Sequence, residues 1–424
     1  MYLFAEPKSI VMKKSFIVLL LLSQLSSFCQ NDRYRFAESF FGFESEFVSE
    51  KNSFSYYDSQ NQIQRGRIAS SITPRILIGG THFWGHADFY ISIPLSTIKI
   101  NGNKNLSSTN GVLTGFRVLP WKLKDKGFRP YFGAGFNSKK IELNNGPTYT
   151  NWQWYYEWGL NFRHKNRIVG LEMRYFSKNL YNAAIARTEK ESLSVSPYSF
   201  SISYKQVIDF TAGYSTERSK KYMKAVYEKA KEEKALSAFS FGLGLTALIP
   251  LKNTELASQK PFFNDEIEGS VNIDLGIAYY INPIDASIRF SYRPLKQEET
   301  AFDYTYKLNK QSFALDAFKF IGDYHGFAPF IGPYVSFDRY HLTEIDDVVT
   351  IQDQTFNRIG YGLVFGWDIR QTKVDYITLR TNLRYTPEYN YTAGGYRFTA
   401  EQLEFNFIQL VYYPERHKIY KQKK

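Results

Sequence analysis

Apolar and polar residues alternate one by one along most of this chain. From Trp152 to Phe162 every even position is large and apolar, while the odd positions are mostly polar or small. The same alternation runs through residues 239–246 and 377–384. Because successive side chains of a β-strand point to opposite faces, this period of two predicts strands with one apolar and one polar face.

The composition indicates where the apolar faces point. Aromatic residues make up 18% of the chain, yet the mean hydropathy is −0.38, and no apolar run after the N-terminal segment is long enough for a transmembrane helix. A soluble β-sandwich also alternates, but its strands are shorter, with turn signals about every 8–12 residues. A membrane barrel turns its apolar face to lipid, so the pattern predicts an antiparallel transmembrane β-barrel.

The connections between the predicted strands alternate in length. Short ones are expected at residues 80–86, 122–127, 164–167, 282–285, 322–326 and 371–375. Long ones are expected near residues 50–66, 97–110, 139–150, 178–196, 253–268, 295–309, 339–356 and 388–396. Outer-membrane barrels have short periplasmic turns and long outer loops, so the long connections are predicted to face outward.

Residues 1–29 are predicted to be a signal peptide whose true start is Met12. Two lysines and a short apolar run follow that methionine, and the small side chains of Ser27 and Cys29 suit cleavage after residue 29. A lipid-modified Cys29 is the alternative, but Phe28 stands where a small residue is required. The sequence therefore predicts export to the outer membrane and a mature chain without cysteine, hence without disulfides or thiolate metal sites.

The mature sequence contains an internal repeat. FRPYFGAGF at residues 128–136 is echoed by FAPFIGPY at 327–334, WGLNF at 158–162 by YGLVF at 361–365, and LEMRY at 171–175 by NLRY at 382–385. The matches keep their order, and each half contains about eight predicted strands. We therefore predict two eight-stranded repeats, at residues 33–214 and 236–415.

A charged segment at residues 215–235 separates the repeats. It is rich in helix formers and predicts a helix of about five turns. Because an even number of strands precedes it, the helix is expected on the periplasmic side, with a thin apolar stripe including Met223 and Val226 against the barrel rim. A basic tail at residues 416–424 follows the second repeat.

The segment RPYFGAG at residues 129–135 resembles the Pro-Tyr-x-Gly-x-Gly strand of the small eight-stranded outer-membrane barrels of the OmpX and opacity-protein kind. The second repeat keeps Pro329, Phe330 and Gly332 but has Tyr334 in place of the second glycine. The resemblance implies that each half is such a barrel. The chain departs from this family in its doubling and in the basic tail after its last strand.

The predicted strands can close in two ways. Two barrels of eight strands would be filled by side chains, whereas one barrel of sixteen would enclose an aqueous pore. Two barrels are favoured, because small residues occupy the inward faces at Gly133, Gly135, Gly242, Gly244, Gly360, Gly362 and Gly366. Inward charges also suit pairing, with Glu44, Glu46, Glu157 and Glu172 opposite Arg75, Arg163 and Arg174. A helix of about five turns, roughly 30 Å long, could bridge the two.

Two groups of residues are candidate metal sites. His82 and His86 have the spacing of a helical zinc pair, but they lie in a glycine-flanked turn without a third ligand nearby. An acidic outer loop offers oxygen ligands for calcium but lacks the EF-hand spacing and its glycine; it contains Glu344, Asp346, Asp347 and Asp353. Turn chemistry and solvated charge are the preferred interpretations, so no metal or cofactor is predicted.

Lipid hydrolysis at the outer rim is the enzymatic hypothesis. His341 is the histidine nearest an outer loop, with Ser336 and Asp338 close in sequence. Strand alternation places His341 on the opposite face from the other two, and the chain has no G-x-S-x-G motif. No catalytic residue is therefore predicted.

The leading functional hypothesis is a non-enzymatic envelope protein that is structural or binds through its outer loops. Expected partners are outer-membrane lipid and lipopolysaccharide, an extracellular glycan or protein, and a periplasmic partner at residues 215–235. The net charge of +12 is attributed to solvated turns and tail, not to nucleic acid. Loop aromatics suit such contacts; they are Tyr56, Tyr57, Tyr149, Tyr181, Tyr304, Tyr306, Tyr389 and Tyr391. The alternatives are a pore, if one wide barrel forms, and a subunit of a secretion or assembly complex.

Overall fold

The computed structural model describes residues 38–57, 62–122, 124, 126–143, 148–208, 217–251, 256–263, 271–323, 326–370, 372–388, 390–393, 395–399 and 401–423. The predicted signal peptide, including Met12 and Cys29, lies outside these residues. Among the helices of the described chain, none has the length and apolar character needed to cross a membrane.

The first half of the chain forms a closed antiparallel barrel. Its strands are β1 (Glu38–Val48), β2 (Ser53–Tyr57), β3 (Ile63–His82), β4 (Ala87–Pro94), β5 (Ile98–Ile100), β6 (Asn103–Val118), β7 (Lys126–Leu143), β8 (Thr148–His164), β9 (Arg167–Phe176), β10 (Leu180–Ala186), β11 (Glu189–Ser194) and β12 (Tyr198–Ile208). Eight of them form the wall in the order β1-β12-β9-β8-β7-β6-β4-β3. The ring closes where β3 pairs back to β1, with Phe43 opposite Ile76.

The second half forms another closed antiparallel barrel. Its strands are β13 (Ala238–Pro250), β14 (Asn272–Ile281), β15 (Ala286–Ala301), β16 (Tyr304–Phe320), β17 (Phe327–Asp346), β18 (Val349–Ile369), β19 (Ile377–Thr386), β20 (Asn390–Ala393), β21 (Tyr396–Thr399) and β22 (Gln402–Tyr412). The wall runs from β13 through β19 to β22, and β22 closes it by pairing with β13.

Each half therefore closes on itself, which confirms the prediction of two eight-stranded barrels. The alternative of one sixteen-stranded barrel is wrong, because β1 pairs with β3 and β12, leaving no edge of the first ring open to the second. The wide pore that depended on the single barrel is excluded with it.

The strands are apolar outside and polar inside, the reverse of a soluble protein. In β1, Phe43 is 54% exposed, whereas its neighbour Glu44 is 3% exposed. Exposed large apolar side chains continue around both walls, as at Phe132 and Leu243. A continuous apolar outer surface is stable in lipid and costly in water, so both rings are transmembrane barrels.

The two ends of the barrels differ. The turns β3–β4, β6–β7, β8–β9, β14–β15, β16–β17 and β18–β19 are short and lie at one end, together with the linker between β12 and β13. The other end carries the longer hairpins. Two of the predicted loops, 295–309 and 339–356, are instead continuations of paired strands that turn tightly at Phe302-Asp303 and Asp347. These loop predictions were wrong because hairpins that extend beyond the membrane have polar residues on their outer faces and resemble loops in sequence.

Three α-helices complete the described structure: α1 (Glu217–Glu232), the single turn α2 (Leu256–Gln259) and α3 (Pro414–Lys423). Two short 3-10 helices, Phe83–Gly85 and Asn282–Ile284, lie in the β3–β4 and β14–β15 turns. The predicted linker is helical as α1, and most of the predicted basic tail lies in α3. Met223 and Val226 of α1 pack with Ile419 and Tyr420 of α3 and with Val374 of the β18–β19 turn. The helix pair α1–α3 is thus fixed beneath the second barrel.

The two barrels pack against each other along an apolar seam. Ile91 of β4, Ala247 of β13 and Phe407 of β22 form its buried centre. Phe89 and Trp367 extend it, with ring centroids 5.9 Å apart. These residues occupy outward positions that would otherwise face lipid, so the seam joins the barrels inside the membrane.

Candidate functional site

A layer of ion pairs fills the first barrel. The guanidinium of Arg117 donates to Glu157 at 2.9 and 3.0 Å and to Glu172 at 2.8 Å. Arg174 donates to Glu44 at 2.5 Å and to Glu172 at 2.7 Å. All of these side chains are fully buried. Because each carboxylate is met by at least one guanidinium, the charges satisfy one another inside the wall.

Arg75 extends the same ion-pair layer toward the outer end of the barrel. Its guanidinium donates to Glu46 at 3.1 Å and to Ser92 at 2.8 Å. The sequence correctly placed Arg75, Arg174 and the four glutamates inside. Arg163, predicted to pair with those glutamates, instead bonds Glu38 near the periplasmic end.

The second barrel has its own ion-pair layer built from different residues. Arg384 donates to Asp316 at 2.9 and 3.2 Å and to Glu404 at 3.0 Å. Arg293 contacts Glu404 at 3.1 Å and Asp274 at 2.9 Å. Lys310 adds a third cation, 2.9 Å from Glu404. The two repeats therefore share a charged interior but not the individual ion pairs.

Apolar caps close both barrels above these layers. In the first barrel the cap includes Phe54, Leu106, Ile141 and Tyr149, with residues of the β10–β11 hairpin. In the second it consists of Leu256, Phe262, Phe263, Ala301, Tyr304, Tyr306, Leu308, Tyr340 and Leu342, together with Ala184 from the first barrel. A hairpin of one barrel thus completes the cap of the other.

The second barrel is also closed at its periplasmic end. Phe318, Phe320 and Phe330 form an aromatic plug there, with Tyr280 and Tyr413. Beside the plug, Arg380 donates to both carboxylate oxygens of Asp368 at 2.6 and 2.8 Å. Ion pairs between two apolar plugs fill the interior of this barrel.

The loop tyrosines do not form the predicted display surface. Tyr149, Tyr181, Tyr304 and Tyr306 are buried within the caps. Tyr56 and Tyr57 are half-buried against the first cap. Tyr389 and the side chain of Tyr391 fall outside the described residues. The prediction failed for the buried four because the alternation of inward and outward side chains continues from each strand into its hairpin, and these four tyrosines occupy inward positions.

The two histidines of the predicted turn make separate contacts. His82 is buried against Phe89, with ring centroids 5.4 Å apart. The Nδ1 atom of His86 lies 2.9 Å from the carbonyl oxygen of Leu119. The described residues contain no group of three or more side chains able to hold a metal ion.

Three of the four acidic outer residues have different side-chain partners. Glu344 is buried and accepts a hydrogen bond from Tyr304. Asp346 pairs with Arg187 of the first barrel, and Asp353 lies 2.7 Å from the Nε2 of His341. These three carboxylates are therefore paired with cations or with a phenol.

The Ser336, Asp338 and His341 set is divided by the wall of β17. Ser336 and Asp338 are buried inside the barrel, where Asp338 lies 3.2 Å from Lys310. His341 points to the outer face and bonds Asp353. Histidine and serine on opposite faces of one strand cannot share a substrate.

Sequence reasoning missed two sets of residues. The first set forms the centres of the ion-pair layers and consists of Arg117, Arg384, Asp316 and Glu404. Their inward positions in the alternating pattern of their strands were the available signal. The seam residue Ala247 was missed as well. Its only signal is a small side chain among the larger outward residues of β13.

No family model matches the chain, and no curated protein matches it. Solved structures with similar folds include the neisserial surface protein A (NspA), 16% identical, covering 41% of this chain and 96% of its own, with a TM-score of 0.30. Ail, the attachment invasion locus protein of Yersinia pestis, solved with the heparin analogue sucrose octasulfate, is 10% identical over 42% of this chain and 96% of its own, with a TM-score of 0.25.

An outer membrane channel from Pseudomonas putida F1 is 9% identical over 91% of this chain and 99% of its own, with a TM-score of 0.22. The class of this protein rests on its own two closed rings. It is a transmembrane β-barrel protein of the outer-membrane type. Each half resembles the small eight-stranded barrels, as the sequence predicted.

Proposed function

We propose that the protein is a non-enzymatic, non-conducting anchor of the outer membrane that acts by binding through its outer hairpins. The supporting observation is that both interiors are filled. Fully buried ion pairs centred on Arg117 and Arg384 occupy the lumens, and apolar caps lie above them. Eight-stranded barrels have room only for side chains, so the surfaces available to partners are the two ends.

The fold and the predicted export signal together support residence in the outer membrane. Closed barrels with apolar outer faces are the β-structures that lipid tolerates. The predicted signal peptide would direct the chain across the inner membrane. Lipid and lipopolysaccharide then surround the walls, and the partner at the outer end is an extracellular macromolecule.

Conductance in planar bilayers tests the closed interiors. The full-length chain should show no steady nanosiemens-scale channels under conditions in which a general porin conducts. A variant lacking residues 256–263, which contribute to the second cap, should also stay silent, because the ion-pair layer beneath remains. Steady, salt-dependent channels from the unmodified chain would contradict the proposal.

A second candidate function is a subunit of an envelope assembly complex that docks at the periplasmic end. The helix pair α1–α3 favours it, because its apolar residues are used internally while Lys224, Lys231 and Lys418 are exposed. The triple charge reversal of these lysines to glutamate should abolish co-purification of a partner without affecting barrel folding. Unchanged co-purification would remove this candidate.

A further inference from the structure

A row of basic side chains lies on the outward face of the first barrel at its periplasmic end. Lys126 of β7 is paired with His164 of β8, and His164 is paired with Arg167 of β9. All three side chains are exposed and occupy outward positions in the alternation of their strands. Because neighbouring strands lie about 4.8 Å apart, the Cα atoms of Lys126 and Arg167 are roughly 10 Å apart, with His164 between them. These three residues form the basic row.

An apolar row lies directly above the basic row on the same face of the wall. Phe128 is paired with Phe162, with ring centroids 4.9 Å apart, and Phe162 is paired with Val169. These three side chains are 66%, 37% and 45% exposed. The two rows are separated by two residues along each strand, which is about 7 Å. The change from apolar to basic side chains therefore lies at the depth where lipid acyl chains meet their headgroups.

The turns beside the basic row add to its positive charge. Residues 122–126 and 164–167 contain five lysine and arginine residues and one acidic residue, Asp125, which lies outside the described residues. The excess of basic residues therefore remains whichever partner Asp125 has. Like charges on neighbouring strands repel one another, so a counter-anion from outside the chain stabilises this rim.

The equivalent strands of the second barrel end differently. In each barrel these are the fifth, sixth and seventh strands of the wall, which in the second barrel are β17, β18 and β19. Their last described cross-strand row is apolar and consists of Phe327, Ile369 and Leu379. An eight-stranded wall therefore closes without cations at this height. The basic row is a feature of the first barrel that closure does not explain.

We infer that the basic row binds the phosphate of an anionic phospholipid in the periplasmic leaflet of the membrane. Lys126 and Arg167 contact the headgroup from two sides, with His164 between them, and the acyl chains lie along the apolar row. Lysine and arginine at a membrane boundary bury their stems along apolar surface and extend their charged ends to the headgroups. A guanidinium can also donate two parallel hydrogen bonds to one phosphate.

The position of the basic row favours a lipid over a soluble acidic partner. Its side chains point sideways from the wall, continuous with the apolar row, and the molecules beside a barrel wall are lipids. A soluble protein would reach the turns from below and would find this outward face covered by headgroups. The inference concerns the end opposite the outer hairpins, so it goes beyond the binding proposed for them.

Native mass spectrometry of the folded full-length chain, released from detergent micelles, tests the inference. The chain is titrated with dioleoyl phosphatidylglycerol and, in parallel, with dioleoyl phosphatidylcholine, which has the same acyl chains but no net charge. Phosphatidylglycerol should bind more tightly. The double variant Lys126→Gln/Arg167→Gln should weaken its binding by about tenfold or more, because each basic residue near an anionic lipid contributes roughly fivefold in affinity. Binding of phosphatidylcholine should be unchanged.

Two further double variants are the controls. Lys51→Gln/Arg65→Gln removes the same charge from exposed positions at the outer end of the first barrel, so it should leave phosphatidylglycerol binding unchanged. Lys126→Arg/Arg167→Lys keeps both charges of the basic row and should retain the tight binding. All three double variants should keep the heat-modifiable gel mobility of folded barrels, because the substituted side chains are exposed.

Three results would overturn the inference. They are equal affinity for the two lipids, equal loss of binding in the periplasmic and outer glutamine variants, and displacement of phosphatidylglycerol by an equal concentration of inorganic phosphate. The third result would identify a site for free phosphate instead of lipid. Channel activity in planar bilayers would contradict the proposed function and is a separate outcome, since it concerns the barrel interiors.

Discussion

Arg187 of the first barrel and Asp346 of the second form a bidentate ion pair, with nitrogen–oxygen distances of 2.5 and 3.1 Å. Arg187 lies in the turn between β10 and β11, and it also donates to the carbonyl oxygen of Phe302 at 2.7 Å. The hydrogen bonds to Asp346 raise the pKa of Arg187. The pair joins the outer hairpins of the two barrels, in addition to the seam between their walls.

This outer link is expected to orient the hairpins more than it stabilises the fold. The side chains of Arg187 and Asp346 are 42% and 35% exposed, so water and salt screen their attraction. A double-mutant cycle of Arg187→Ala and Asp346→Ala, measured by urea unfolding in micelles, should give a coupling energy of about 0.5 kcal/mol. Protease cleavage within β10–β11 should become faster in either single variant. A coupling energy above about 2 kcal/mol would mean that the pair is a main support of the assembly.

We predict that the centre of the seam cannot accommodate a larger side chain. Ala247 is fully buried between the barrels, so Ala247→Trp should force them apart and destabilise their packing by about 1–3 kcal/mol. Distances between spin labels on the two barrels should lengthen and broaden. Leu243→Trp on the same strand is the control, because Leu243 faces lipid and accepts a larger apolar side chain. Equal distances in both variants would show that the barrels do not pack through Ala247.

The sequence predicted the barrel walls well because residues along each strand alternate between the lipid-facing side and the interior, and their polarity alternates with them. Phe43 and Glu44 follow that rule, and so do most residues of the repeat. Closure into two rings was predicted from the same inward positions, where small and oppositely charged residues suit a narrow interior filled by side chains. These features depend on local pattern alone.

Contacts between distant strands were harder to predict from the sequence. Arg163 was assigned to the wrong partners because parity places a side chain inside but does not fix its height in the barrel. The seam was missed because its Phe407 resembles any lipid-facing aromatic residue. The hairpin of Tyr304 was taken for a loop, since its outward face is polar beyond the membrane. The height of a side chain in the barrel, its ion-pair partner and the packing between barrels depend on how distant strands are aligned in space. A period of two in the sequence does not specify that alignment.

The ion-pair layer of the second barrel should be sensitive to the loss of one charge. Arg384→Met removes one cationic partner from Asp316 and one from Glu404, leaving both carboxylates fully buried with less compensating charge. The expected loss in the free energy of unfolding is about 3–5 kcal/mol. Adding Asp316→Asn should recover part of it, because one buried negative charge that has lost a partner is removed. Urea unfolding followed by gel mobility measures both, with the exposed Arg339→Met as the neutral control.

The contact between α1 and α3 can be broken without touching either barrel. Val226 is 1% exposed and packs with Ile419, whereas its neighbour Tyr227 points to solvent. Val226→Asp should detach α1, because an unpaired carboxylate is costly in that apolar cluster. If the cost is about 3 kcal/mol, trypsin should cleave after Lys224 or Lys229 roughly a hundredfold faster, since cleavage follows the population of the open helix. Tyr227→Asp should leave the cleavage rate near that of the unmodified chain, and both variants should keep the gel mobility of folded barrels. Similar rates for the two variants would show that the helix is held to the second barrel by something other than this cluster.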